Sequence, residues 1–168
     1  MSCYHSDGCK KDKCIRDIVR DIVKAQDEVA EREHSCSTSC EQSIRELLSP
    51  TANENQKTTI PVMLYTKDSE IFKAEGYKSL GGKQWLVKTK VFKVKKFVEG
   101  SRHCVKLELL KPIKHSPSST VSTPCRKKHV DEFKSTGICI TVDLKCFCGI
   151  ACLEPITPEP VTSGDLEC

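Results

Sequence analysis

From Ile138 to Leu153 the chain alternates strictly between apolar and polar positions. Ile138, Ile140, Val142, Leu144, Cys146, Cys148, Ile150 and Cys152 fall on one face, and Cys139, Thr141, Asp143, Lys145 and Phe147 on the other. Period two predicts a half-buried β-strand. A one-residue slip would drive Thr, Asp and Lys into the core, so the register is well specified. This stretch is expected to anchor a sheet.

Upstream the period changes. Asp12 is placed to cap a helix running to about Glu33. Its stripe of Ile15, Ile18, Val19, Ile22, Val23, Val29 and Ala30 has helical spacing. The opposite face mixes Arg16, Asp17, Arg20, Asp21, Lys24, Asp27 and Glu28. Such a helix packs on a sheet or docks on a second copy, and the first is the plainer reading. Ser39 followed by Gln42 fits a capping box opening a short helix through Leu48, which Pro50 ends. From Ile60 the texture is β. Strands are expected at 60–66 and 70–74, a loop over 76–82, and a β-rich run at 85–98. The broken alternation of that run calls for a bulge or a sheet edge. A further strand is expected at 102–110, then a Ser/Pro-rich loop. The expected fold is α+β and mainly β, an antiparallel sandwich or barrel-like sheet with an N-terminal helix and a short second helix. Residues 1–11 read as a flexible Cys-bearing arm. Residues 12–153 read as a single domain, with helices over 12–48 and the sheet over 60–153, and 154–168 as a Pro-rich extended tail.

Length allows one domain with a real core. Charged residues are 30% of the chain and the net charge is +4, which does not describe a polycation made to coat nucleic acid. Cysteine is the outlier, with 12 in 168 residues, close to the density of a disulfide scaffold. The N-terminus lacks the apolar core of a secretory signal and no window is long and apolar enough to span a membrane, so synthesis in a reducing cytosol is expected. The thiols then bind metal, or they meet oxidant later.

Zinc sites favour paired Cys-x2-Cys knuckles. Here the spacings are Cys-x3-Cys at Cys36/Cys40 and Cys148/Cys152, and Cys-x-Cys at Cys146/Cys148. His34, His103 and His129 stand near cysteines, so a Cys-rich metal-binding module is the alternative reading, although no metal ligand set is assigned and no cofactor is expected. Within a strand, Cys146 and Cys148 would lie roughly 6.5–7 Å apart, at the limit for bridging each other. Their partners belong on other strands or other molecules, with Cys104 a cross-strand choice, unless they are simply small buried hydrophobes. Cys9 precedes Lys10-Lys11, Cys125 precedes Arg126-Lys127-Lys128, and Cys104 follows Arg102-His103. Adjacent cations favour the thiolate, the attacking form in disulfide exchange. Cys3, Cys9 and Cys168, near the chain ends, are expected to cross-link molecules. Cys14, Cys36, Cys40, Cys104, Cys125, Cys139, Cys146, Cys148 and Cys152 are the structural or lattice disulfide candidates.

Nothing local pairs one cysteine with a catalytic base, and no phosphate loop or serine elbow is present, so no enzymatic activity is expected. Lys83, Lys88, Lys90, Lys93, Lys95 and Lys96 read as a solvated strand face guarding an edge. Without interleaved aromatics they do not make a nucleic-acid site.

Cys139-Ile140-Thr141-Val142-Asp143-Leu144-Lys145-Cys146-Phe147-Cys148-Gly149-Ile150-Ala151-Cys152-Leu153 resembles the C-terminal signature of the CotY/CotZ/ExsY family of spore coat and exosporium proteins, with Gly149 where alanine is usual. Supporting matches, in the right order, are Cys14, Cys36-x3-Cys40 with Leu47-Leu48, Ile60-Pro61, Val91-Phe92-Lys93-Val94 and Cys104-Val105-Lys106-Leu107. The resemblance implies a structural protein of the outer layers of a bacterial endospore, in coat, crust or exosporium. It implies hexamers that extend into hexagonal two-dimensional sheets locked by disulfides, with the chain itself and other coat proteins as partners. It also implies synthesis in the mother-cell cytoplasm and oxidation when that cell dies.

Overall fold

The computed structural model describes residues 15–29, 36–49, 56–114 and 130–167. The chain divides into two units, Met1–Ser37 and Thr38–Cys168. The first contains helix α1, Ile15–Val29, which has the predicted apolar stripe and no buried residue. Asp17 and Arg20 pair across one turn of its polar face at 3.4 Å. The proposed Asp12 cap lies outside the described residues.

The second unit is mainly β and antiparallel. Helix α2, Cys40–Leu48, begins where its cap predicts, with Ser39 Oγ accepting the Gln42 N–H at 3.0 Å. The Gln42 side chain donates forward to Glu46 rather than back to the cap, so half of the expected box is formed. Seven strands follow among the described residues: β1 Pro61–Thr66, β2 Ala74–Leu80, β3 Lys83–Thr89, β4 Phe92–Phe97, β5 Cys104–Ile113, β6 Glu132–Asp143 and β7 Phe147–Cys152. Five form one sheet in the order β6-β5-β4-β1-β7, and β2 and β3 form a separate hairpin.

The long alternating stretch is therefore two strands. Asp143 accepts the Lys145 N–H at 2.9 Å and caps a 3-10 turn over Leu144–Cys146, after which β7 begins. The turn shifts the alternation by one position. Ile138, Ile140 and Val142 face inward as predicted, but beyond the turn Phe147 is the inward residue and Cys148 and Ile150 are exposed. β6 and β7 then lie at opposite margins of the sheet. Laid flat, those margins would be about 19 Å apart at the usual strand spacing. The link from Asp143 to Phe147 can stretch only about 14 Å. The sheet must curl, and it does so without closing, because β6 and β7 do not pair with each other.

Inside the curl, Val62, Leu64, Phe92, Val105, Leu107 and Leu109 form the core, with Phe72 and Phe147 meeting edge to face at 5.1 Å between ring centres. The β2–β3 hairpin covers part of this interior. The sequence there read as a loop, but Gly81 and Gly82, at φ 59° and 73°, make a two-residue turn between paired strands. Both positive values are what a type I′ hairpin turn requires. Gly76 allows β2 to lie close on β6, since a Cβ there would stand 2.6 Å from Ile138 Cγ2. Of the strand expected over 70–74, Ile71 makes a single bridge to Tyr65 after β1 turns through Ser69 at φ 64°, and Ala74 already opens β2. The run 85–98 is divided into β3 and β4 at Lys90-Val91, and β4 carries a bulge between Val94 and Lys96. β4 is interior to the sheet, so its lysines guard no edge.

The Pro-rich C-terminal stretch is extended in backbone, and it is docked. Ile156 bridges Thr59 beside β1, Pro160 bridges Ser135 in β6, and Val161 and Leu166 are buried with Val87 of the hairpin. A short helix α3, Ser163–Leu166, ends the described chain, with Lys134 holding Asp165 at 3.1 Å.

Candidate functional site

The cysteines of the described residues fall into two groups. Cys40 and Cys152 are bonded to each other, with 4.8 Å between their Cα atoms across 112 residues of sequence. Cys40 is the first residue of α2 and Cys152 the last of β7. The staple fixes helix to sheet edge, and Ser43 reinforces it by donating its hydroxyl to the Leu153 carbonyl at 2.8 Å. Neither sulfur belongs to a fully buried residue.

Cys36, Cys104, Cys139, Cys146 and Cys148 carry no intrachain bond. Cys104 is half-buried and stands opposite Asp143, so the cross-strand pairing expected for it is not made. Cys139, opposite Glu108, is exposed, as are Cys36, Cys146 and Cys148. The 3-10 turn thus accounts for Cys146 and Cys148 being neither buried hydrophobes nor bridged within the chain. Cys146 ends that turn beside exposed Lys145. Cys148 sits just beyond, with its Sγ 3.0 Å from the Thr66 carbonyl oxygen. Cys3, Cys9, Cys14, Cys125 and Cys168 lie outside the described residues. Among the described residues, no three of His, Cys, Asp or Glu come together as a metal would require. Among the described residues no helix is long and apolar enough to cross a membrane.

One residue overlooked in the sequence organises the cysteine-bearing strand. Glu108 is buried between Leu107 and Leu109. Its carboxylate accepts the Gly137 N–H at 2.9 Å, accepts the Ser135 hydroxyl, and pairs with Lys95 at 3.2 Å. Burial alone would raise its pKa, but these donors outweigh burial and hold it below the ordinary glutamate value. They also fix a bulge, in which Thr136, Gly137 and Ile138 stand opposite Leu109 alone and Gly137 takes φ 71°. The bulge sets the register in which Cys139 faces out. A lone glutamate inside an apolar strand was the available signal.

Cys152 also lines an open cavity of about 530 Å³. Pro61, Phe133, Leu153 and Ile156 give it apolar walls, and Asp131, Glu132 and Glu154 outnumber Lys57 around it.

A mainly β protein whose described cysteines comprise one internal staple and a set of outward thiols has the chemistry of a structural, cross-linkable protein. Residues 1–155 match the family model described as spore coat protein Z, and the chain belongs to that family. It is 33% identical over 150 residues to spore coat protein Z of Bacillus subtilis (strain 168), an alignment covering 87% of this chain and 92% of the relative. No solved structure matches it.

Proposed function

We propose that this chain is a structural unit of the spore surface layers, that it assembles with copies of itself into hexameric units and a hexagonal two-dimensional sheet, and that disulfides between copies lock the sheet. The observation that carries the reading is the segregation of the cysteines. One pair staples the fold, while Cys36, Cys139, Cys146 and Cys148 are unbonded and exposed. Thiols that serve only the fold would be buried or paired. A closed symmetric lattice repeats each such contact in every copy. Cys3, Cys9 and Cys168 would add cross-links from the termini, Cys14 and Cys125 would add others, and neighbouring coat proteins would be joined through the same chemistry. Synthesis in the mother-cell cytoplasm, with oxidation after lysis, would keep the thiols reduced until the sheet is in place. The role is mechanical rather than catalytic.

The test is electron microscopy of purified full-length protein before and after oxidation, with non-reducing gels alongside. Ordered arrays and a reductant-sensitive ladder are expected. Material that stays monomeric after oxidation, with no array, would overturn the proposal, and stoichiometric zinc in the reduced protein would favour a metal-binding module.

A further inference from the structure

Helix α1 carries its apolar stripe unburied. Ile15, Ile18, Val19, Ile22, Val23 and Val29 are all exposed, and no residue of the helix is buried. A lone helix of about 15 residues is marginal in water and draws its stability from packing an amphipathic face. Among the described residues, the buried clusters of the second unit draw only on residues 60–166, so that core forms without α1.

The charges around the stripe select what covers it. From Lys10 to Ile22 the chain has five cations against three carboxylates, and from Val23 to Glu33 it has two cations against four carboxylates. Asp17 lies in the first turn of α1, but the last turn has no basic residue. The net polarity is the reverse of what a helix favours by itself, since the dipole prefers carboxylates at the N-terminus and cations at the C-terminus. It suits an antiparallel pair, in which each basic end lies against an acidic end and the two dipoles oppose. A parallel pair would set like charge on like. Arg16 and Asp27 are eleven residues apart, about three turns, so they share one flank of the stripe. In an antiparallel pair that flank meets its own counterpart. Among the described residues neither side chain has an ion-pair partner, whereas Arg20 is held by Asp17 at 3.4 Å.

We propose that α1 is a self-docking helix that pairs antiparallel with α1 of a second copy. Ile22 lies at the centre, Ile15 of each chain stands opposite Val29 of the other, and Arg16 of each lies beside Asp27 of the other. The pair is two-fold, so every contact occurs twice. The inference rests on the self-assembly proposed above and names one surface through which copies meet. Two helices of this length bury less than a standard interface, so the contact acts by repetition across an assembly. It needs no disulfide.

The experiment uses full-length protein with the Cys40–Cys152 staple intact and the free thiols capped with iodoacetamide, which adds no charge. Sedimentation at low ionic strength then reads non-covalent association alone. Arg16→Glu and Asp27→Lys each turn two attractions into repulsions. Each should raise the concentration needed for half association about tenfold. Both changes suit the helix dipole, so neither weakens α1 itself. The double variant exchanges the two charges and should regain wild-type association. Single variants that associate like wild type overturn the pairing and leave self-assembly through other surfaces standing. Losses that the double variant does not rescue also overturn it, because Arg16 and Asp27 then do not face each other. Capped wild-type protein that stays monomeric at every concentration overturns the pairing. If uncapped protein also stays monomeric after oxidation, the self-assembly reading falls with it.

Discussion

The Glu108 carboxylate accepts the backbone N–H of Gly137 at 2.9 Å, joining a buried charge on β5 to the bulge of β6. Replacing Glu108 with alanine removes this acceptor and that of Ser135 together, and frees Lys95 to solvent. The cost is expected at about 1.5–3 kcal/mol, the range for hydrogen bonds to a charged group. Urea unfolding would measure it. Glu108→Gln should recover part of the loss, since an amide oxygen can still accept from Gly137. An unchanged midpoint for the alanine variant would remove Glu108 from the account of the bulge.

Acid should loosen the docked C-terminal segment. Donation from the Thr162 N–H first, then from the Thr162 hydroxyl and Lys134, outweighs burial and holds Asp165 at about 2, below its ordinary 3.8. The folded state therefore prefers the ionised form. That contribution is complete above pH 3.8 and is lost as pH falls through about 2. Glu108 is lowered as well, so its contribution has the same sign. Protection from hydrogen exchange over residues 156–166, measured against the intrinsic rate at each pH, should fall across this window. Asp165→Asn should exchange faster at neutral pH and respond less to acid, and an identical pH profile for the two proteins would contradict the assignment.

At Gly76 there is no room for a side chain. Its Cβ would meet the Ile138 Cγ2 methyl, which is branched at Cβ and cannot swing away. Gly76→Ala should therefore destabilise by about 1–3 kcal/mol through overpacking. Ile138→Ala removes the clashing methyl at the expense of core burial. The double variant should be more stable than the sum of the two losses implies, and additive values would argue against the contact.

Maleimide labelling of native protein followed by peptide mapping should modify Cys36, Cys139, Cys146 and Cys148 ahead of half-buried Cys104. Cys40 and Cys152 should react only after reduction. Fast labelling of Cys40 without reductant would show that the staple is not formed.

Local signals carried much of the fold. Ser39 and Gln42 located the start of α2, Ile60-Pro61 marked the opening of β1, and the alternation from Ile138 to Val142 gave the inward face of β6. What escaped was parity beyond Asp143. Three residues of 3-10 turn cost the alternation one position, and apolar cysteines on the wrong side of that turn look no different from core residues. Gly81-Gly82 was legible as a hairpin turn, but the weak alternation of Ala74–Leu80, with Gly76 at its centre, hid the strand before it. The Cys40–Cys152 pairing was beyond local reading, because only the path of the chain between them brings residues 112 apart together. The burial of Val161 and Leu166 depends in the same way on a hairpin the tail must first meet.

The course of the segment from β6 through the turn to β7 matters for how such a molecule takes strain. Cys139 sits at one border of the curled sheet and Cys148 at the other, yet a short run of main chain joins them, and Cys152 continues it into α2. A pull applied between those two sulfurs travels along peptide bonds. The hydrogen bonds of the intervening strands lie off that line and are not sheared, so the fold can stay intact while its borders are under tension.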